Sequence, residues 1–180
     1  MYFISLFQVT TLEIKECRLG ESSTSLWVSL ASLTSLHHLN ISSSSLPLPH
    51  QSPPPLPSVR ELETRHLTSD SYSGLIGSLP GLNKMGYPYR IYLANPDADI
   101  AQISLGLRHT GASLTYIRLD GYDAAQRVVS DASMRSLCDV IRDRATRLEL
   151  IGLRNLTIDD ESLVRLIETC RAITTMRIIG

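Results

Sequence analysis

VTTLEIKECRL, Val9 to Leu19, decides the fold. Apolar residues stand at Val9, Leu12, Ile14 and Leu19, with a cysteine at Cys17. Strict alternation would read as a strand and a 3.6-residue spacing as a helix. This spacing is neither. It fits L-x-x-L-x-L-x-x-N/C-x-L, in which a short strand runs into a loop whose Cys or Asn is buried.

The pattern recurs along the chain. LHHLNISSSSL gives Leu36, Leu39, Ile41, Ser44 and Leu46, and VRELETRHL gives Val59, Leu62, Thr64 and Leu67. LNKMGY supplies Leu82, Met85 and Tyr87, and LTYIRLDGY supplies Leu114, Ile117, Leu119 and Tyr122. ATRLELIGL is read as Ala145, Leu148, Leu150 and Leu153, and ITTMRI as Ile173, Met176 and Ile178. The starts fall at 9, 36, 59, 82, 114, 145 and 173, so the intervals are 27, 23, 23, 32, 31 and 28. One array of about seven repeats over residues 1–180 follows, with insertions in the two longest intervals.

A period this long leaves room for a helix on each return path. Leu26, Leu30 and Leu33 are helically spaced between Ser22 and Ser35. Asn95-Pro96 is a helix-start signal ahead of Ile100, Ile103 and Leu107. Asp131 precedes Met134, Leu137 and Ile141, and Asp159-Asp160 precede Leu163, Leu166, Ile167 and Cys170. Ser69 to Gly81 offers only Leu75, Ile76 and Leu79, enough for one short helix or none. Pro47 to Pro57 carries six prolines and predicts an extended crossing loop. Pro54, Pro57 and Arg60 have the spacing of an SH3-type ligand, but a plain loop is the favoured reading.

Stacked repeats place Leu12, Leu39, Leu62, Met85, Ile117, Leu148 and Met176 in one interior column. A second holds Ile14, Ile41, Thr64, Tyr87, Leu119, Leu150 and Ile178. The residues between them point the other way. Those columns read Thr11, His38, Glu61, Lys84, Tyr116, Arg147, Thr175 and Glu13, Asn40, Glu63, Gly86, Arg118, Glu149, Arg177. Acids lead and bases follow, which predicts a polarised binding face for a protein partner of complementary charge. The candidate contacts are Glu13, His38, Asn40, Glu61, Glu63, Lys84, Tyr116, Arg118, Arg147 and Arg177.

The 180 residues carry a net charge of −1, with 43% hydrophobic and 19% charged residues. That composition is globular, and its charge balance gives no drive toward nucleic acid. No run approaches the roughly 18 apolar residues of a membrane span, and MYFISLF lacks the basic flank and cleavage site of a signal peptide. Cys17, Cys138 and Cys170 have neither metal-ligand nor disulfide-framework spacing and point to buried thiols in a reducing, cytoplasmic setting. Two glycosylation triplets, at Asn40 and Asn155, matter only in a secreted protein.

Catalytic readings are weak. His37 and His38 would point to opposite faces of a strand and cannot easily share a metal. Asp97-Ala98-Asp99 resembles a metal-binding D-x-D but follows a helix start, where acids are expected. No nucleophile elbow, zinc-helix motif or phosphate-binding glycine loop is present. No enzyme activity, metal or cofactor is expected.

With these repeats, the chain resembles a leucine-rich-repeat protein of the ribonuclease-inhibitor-like class. LEIKECRL and LELIGLRNLTIDDESLVRLIETC are most similar to repeats of intracellular nucleotide-binding leucine-rich-repeat (NLR) immune receptors. The resemblance implies an α/β horseshoe, or solenoid, with a parallel concave sheet and convex helices. It also implies a ligand-sensing or autoinhibitory role beside a nucleotide-binding module in a longer receptor, of which this chain is a fragment. The chain departs from the family at the buried Cys/Asn position, filled in turn by Cys17, Ser44, Leu67, Tyr122 and Leu153. The repeat arm of an F-box-type ubiquitin-ligase adaptor and a free-standing enzyme inhibitor are the alternatives. The unclosed repeats at either end predict exposed apolar surface and self-association.

Overall fold

Each L-x-x-L-x-L segment becomes a strand because its alternate residues find a common apolar side. The computed structural model describes residues 8–15, 24–42, 53–65, 67, 69–86, 91–121, 128–170 and 173–179. The strands are β1 (Thr11–Lys15), β2 (His38–Ser42), β3 (Glu61–Arg65), β4 (Lys84–Met85), β5 (Ile91–Leu93), β6 (Tyr116–Gly121), β7 (Leu150–Arg154) and β8 (Thr175–Ile179). They form one parallel sheet in chain order, and β4 and β5 share one place between β3 and β6. A backbone motif fixes the register. The carbonyls of Thr10, His37, Arg60, Asn83 and Thr115 each accept two N–H groups from the start of the next strand.

That register aligns Leu12, Leu39, Leu62, Met85, Ile117, Ile151 and Met176 in one column. The next holds Ile14, Ile41 and Thr64, then Ile91, Leu119, Leu153 and Ile178. Leu39, Ile41, Leu62, Met85, Ile91, Ile117, Leu119 and Ile151 are fully buried, each residue of this kind contributing roughly 1.5–3 kcal/mol.

Two expectations are corrected here. Leu148 and Leu150 do not occupy the interior columns of β7; Ile151 and Leu153 do. The repeat starts at 148 rather than 145, because Leu148-x-x-Ile151-x-Leu153 fits the pattern as well as Ala145-x-x-Leu148-x-Leu150. Pairing with Ile117 and Leu119 selects the later frame, and Ala145 is buried in the turn that leaves the preceding helix. Tyr87 lies outside the described residues, as do Cys17, Ser44 and Tyr122; Ile91 pairs with Leu119 in the second column. The delay begins at Gly86, whose φ of +81° suits glycine, and where a Cβ would stand 2.4 Å from the Arg118 carbonyl oxygen.

The return paths carry five helices among the described residues: α1 (Thr24–Ala31), α2 (Ser69–Gly77), α3 (Pro96–Thr110), α4 (Asp131–Asp143) and α5 (Asp160–Thr169). Their buried residues, from Trp27 through Tyr72, Ile103 and Leu137 to Leu166, join the sheet columns in one apolar cluster. The helices therefore cover a single side of the sheet. α2 packs on α3, α3 on α4, and α4 on α5. The short-helix option is realised in α2, while residues 53–60 of the proline-rich path carry no helix. Leu56 and Val59 fill the core there, the Leu56 N–H donates to the Ser78 carbonyl, and Arg60 donates to that of Gly81. A segment packed in this way is a structural crossing rather than a presented ligand.

Acids at the helix starts tie successive helices together. Asn95 caps α3, accepting from the Ala98 N–H. Asp99, fully buried, accepts from Ser69 Oγ at the start of α2 (2.6 Å) and from the Asn95 N–H (3.0 Å). Asp97 accepts from the N–H and Oγ of Ser130, the cap of α4 (2.8 and 2.7 Å). Asp131 accepts from Ser162 and Arg165 of α5 (3.2 and 2.5 Å), which Asp159 caps. The Asp97-x-Asp99 pair is thus committed to helix starts on two sides.

Candidate functional site

The alternate strand residues point away from the helices and form three rows across the sheet. The first holds Thr11, His38, Glu61, Lys84, Tyr116, Leu150 and Thr175. The second holds Glu13, Asn40 and Glu63 at one end and Arg118, Gly152 and Arg177 at the other. The third holds Lys15, Ser42, Arg65, Tyr92, Asp120, Arg154 and Ile179. Nine of the ten predicted contacts lie in these rows or strands. Arg147 does not: it sits with Glu149 in the turn before β7, where the three-residue shift leaves it exposed off the sheet face.

Over β1 to β3 each acid of the face is paired. Lys15 Nζ is 2.8 Å from Glu13 Oε2. Asn40 Nδ2 donates to Glu13 Oε1 (3.3 Å) and Glu63 Oε2 (3.2 Å), and Ser42 Oγ donates to Asn40 Oδ1 (3.2 Å). Arg65 donates to Glu63 Oε1 (3.4 Å), and its guanidinium lies 5.0 Å from the centre of the Tyr92 ring. Glu61 takes His38 on one side (3.4 Å) and Lys84 on the other (3.0 Å). The hydrogen bond from Lys15 holds the Glu13 carboxyl below its usual range, while burial pushes the Glu63 carboxyl up against the pull of Arg65.

The far end differs. Arg118, Arg154 and Arg177 have no hydrogen bond or ion pair among the described residues. Asp120, an acid beside Arg154 in the third row, is buried and accepts from Asn155 Nδ2 (2.8 Å). Around Gly152, with Tyr116, Leu150, Leu153 and Ile179, the three arginines line a cleft of about 50 Å³. Arg65, Tyr92 and Arg154 were missed in the sequence because the third row lies one alternation beyond L-x-x-L-x-L. Extending the period-2 count by one step finds Arg65, whereas Tyr92 lies on β5 beyond the delay at Gly86 and Arg154 depends on the later frame of β7.

The other candidates resolve into structure. His37 is exposed ahead of β2, while His38 faces Glu61. No group of three or more His, Cys, Asp or Glu among the described residues is placed to hold a metal. Cys138 and Cys170 are buried free thiols, and burial pushes Cys170 up to about 12. Asn40, of the first glycosylation triplet, is buried between two carboxylates, and Asn155, of the second, holds Asp120 from a left-handed turn (φ 52°). No helix of the described residues is long and apolar enough to cross a membrane.

No protein-family model matches the chain, and neither a curated protein nor a solved structure does.

Proposed function

We propose that the chain is a leucine-rich-repeat horseshoe that binds a protein partner on the helix-free face of its sheet and catalyses no reaction. One observation carries the reading: six of the seven places in the sheet align an L-x-x-L-x-L-type segment in one register, and the seventh supplies Met85 from β4 and Ile91 from β5 to the same two columns. Neighbouring repeats therefore offer side chains in rows at the strand spacing of about 4.8 Å. Such a face suits an extended protein surface better than a small substrate. The similarity of LEIKECRL and LELIGLRNL to NLR repeats supports a setting as the sensing or autoinhibitory arm of a cytoplasmic receptor.

Photo-crosslinking amino acids at Glu61, Tyr116 and Thr175, compared with Val164 and Ile167 on α5, test the proposal in cells. Discrete protein adducts are expected from the sheet positions. Adducts from the helix positions alone, or none from the sheet, would overturn it.

A further inference from the structure

We propose that the Gly152 cleft is a carboxylate seat for an extended acidic segment of the protein partner, an inference that rests on the sheet face being the binding surface. Arg118, Gly152 and Arg177 are direct neighbours in one row. A residue without a side chain is thus flanked by two guanidinium-bearing strands, whose Cα atoms stand about 10 Å apart at ordinary strand spacing. Arg154 closes one end of the cleft and Tyr116 and Leu150 the other.

Three observations point to an anion. First, these arginines have no acid partner among the described residues, whereas each acid over β1 to β3 is paired. Second, Arg154 Nε is a buried donor without a hydrogen-bond partner, an arrangement that a ligand oxygen would relieve. Third, the cleft holds about 50 Å³, and a water-sized group takes roughly 10–15 Å³. That is room for the three heavy atoms of a carboxylate.

The choice of a peptide over a nucleic acid follows from the surroundings. Leu150 and Ile179 give apolar walls beside the arginines, which suits an apolar residue next to the acid. The chain's net charge is −1, and the three arginines span three adjacent strands rather than a long basic stripe. Guanidinium forks match a carboxylate geometrically, so replacing the carboxylate by an amide loses charge-assisted bonds.

The test is fluorescence anisotropy on the full chain. The probe is a rhodamine-labelled peptide of Glu-Leu pairs spaced by Gly-Ser, and its control has Gln for each Glu. Saturable, salt-weakened binding of the Glu peptide is expected, with the Gln peptide at least about tenfold weaker. R118Q and R177Q should each weaken binding about tenfold. Gly152→Val should abolish it by filling the seat, since its Cβ would stand 3.3 Å from Arg118 Cγ and ask only a small shift of a side chain. Thermal melting of each variant separates loss of binding from loss of fold, and R142Q, on α4 across the sheet from the cleft, should bind as the parent does.

Equal binding of both peptides, or full binding by folded Gly152→Val, would overturn the seat. Equal competition by inorganic phosphate or a decanucleotide would overturn the acidic peptide as its occupant. Absence of peptide binding alongside sheet-face crosslinks would overturn this inference alone; crosslinks from α5 only would remove the reading beneath it.

Discussion

Replacing Asp99 by alanine should remove about 2 kcal/mol of folding stability. Its carboxylate is fully buried and receives Ser69 Oγ at 2.6 Å and the Asn95 N–H at 3.0 Å. Alanine orphans both donors, at roughly 1–3 kcal/mol each when water cannot replace the lost partner. Asn95 is exposed and Ser69 half-buried, so water will reach both and the low end applies. Alanine's better helix propensity returns less than about 1 kcal/mol. Burial pushes the Asp99 carboxyl up, so removing the charge gives a further small relief. The lost packing of a fully buried side chain offsets these gains.

Asp99→Asn is the discriminating control. Its carbonyl oxygen can face the Asn95 N–H while its amide donates to a rotated Ser69 hydroxyl, so the loss should stay under about 1 kcal/mol. For 180 residues the alanine change corresponds to a drop in Tm of about 4–8 °C. Urea unfolding can be followed through Trp27, the single tryptophan, fully buried in α1, with far-UV circular dichroism checking that both signals move together. A loss under about 0.5 kcal/mol for alanine, or an equal loss for both variants, would refute the reasoning. A metal-dependent Tm abolished by Asp99→Asn would revive the D-x-D reading.

Three further outcomes follow from the same packing. Thr64 Oγ1 is buried without a hydrogen-bond partner, so Thr64→Val should stabilise by about 1 kcal/mol in urea titration; destabilisation would mean the hydroxyl is held, with Tyr72 the neighbour to examine. Gly86→Ala should lose about 3 kcal/mol or more, because its Cβ would meet a backbone oxygen at 2.4 Å from a left-handed conformation, whereas Gly77→Ala, in open space on α2, should be neutral or stabilising. The carboxyls of Asp131 and Asp159 are held low, the first by Arg165 and the second by the Ser162 N–H. A lowered folded pKa gives stability that is present above the unfolded value near 4 and lost as pH falls through the folded one. Tm should therefore fall below about pH 4, and the double variant Asp131→Asn, Asp159→Asn should start lower and fall less; an unchanged slope would show that other acids govern it.

Strand positions were legible where one frame alone satisfied the apolar pattern. Val9, Leu36, Val59, Leu114 and Ile173 each lead into a strand that begins two residues later. At Ala145 and Leu148 two frames overlap, and the choice between them is made by Ile117 and Leu119, about 34 residues away in sequence. No local reading could supply that, and Arg147 entered the predicted face through the wrong frame. The caps Asn95 and Asp159 were readable because capping is local. Ser130 was passed over in favour of Asp131, whose acid proved to serve the next helix instead. The arginine cleft was half legible: Arg118 and Arg177 were in the predicted face, but Arg154 and the vacancy at Gly152 depend on the register of β7.

The acid links between helix starts run unbroken from Ser69 to Arg165, yet none reaches back to α1 among the described residues. Residues 53–60 carry no helix, and among the described residues the first repeats meet the rest at the strands, at the Leu56 and Val59 plug, and at the bond from Ser58 Oγ to the Leu33 carbonyl. The expected consequence is a fracture line after the first repeats. Amide hydrogens of β1 and α1 should exchange as a separate, less protected unit, while α2 through α5 open together. Force or denaturant applied to the array would peel off that first unit before the cleft-bearing end loosened.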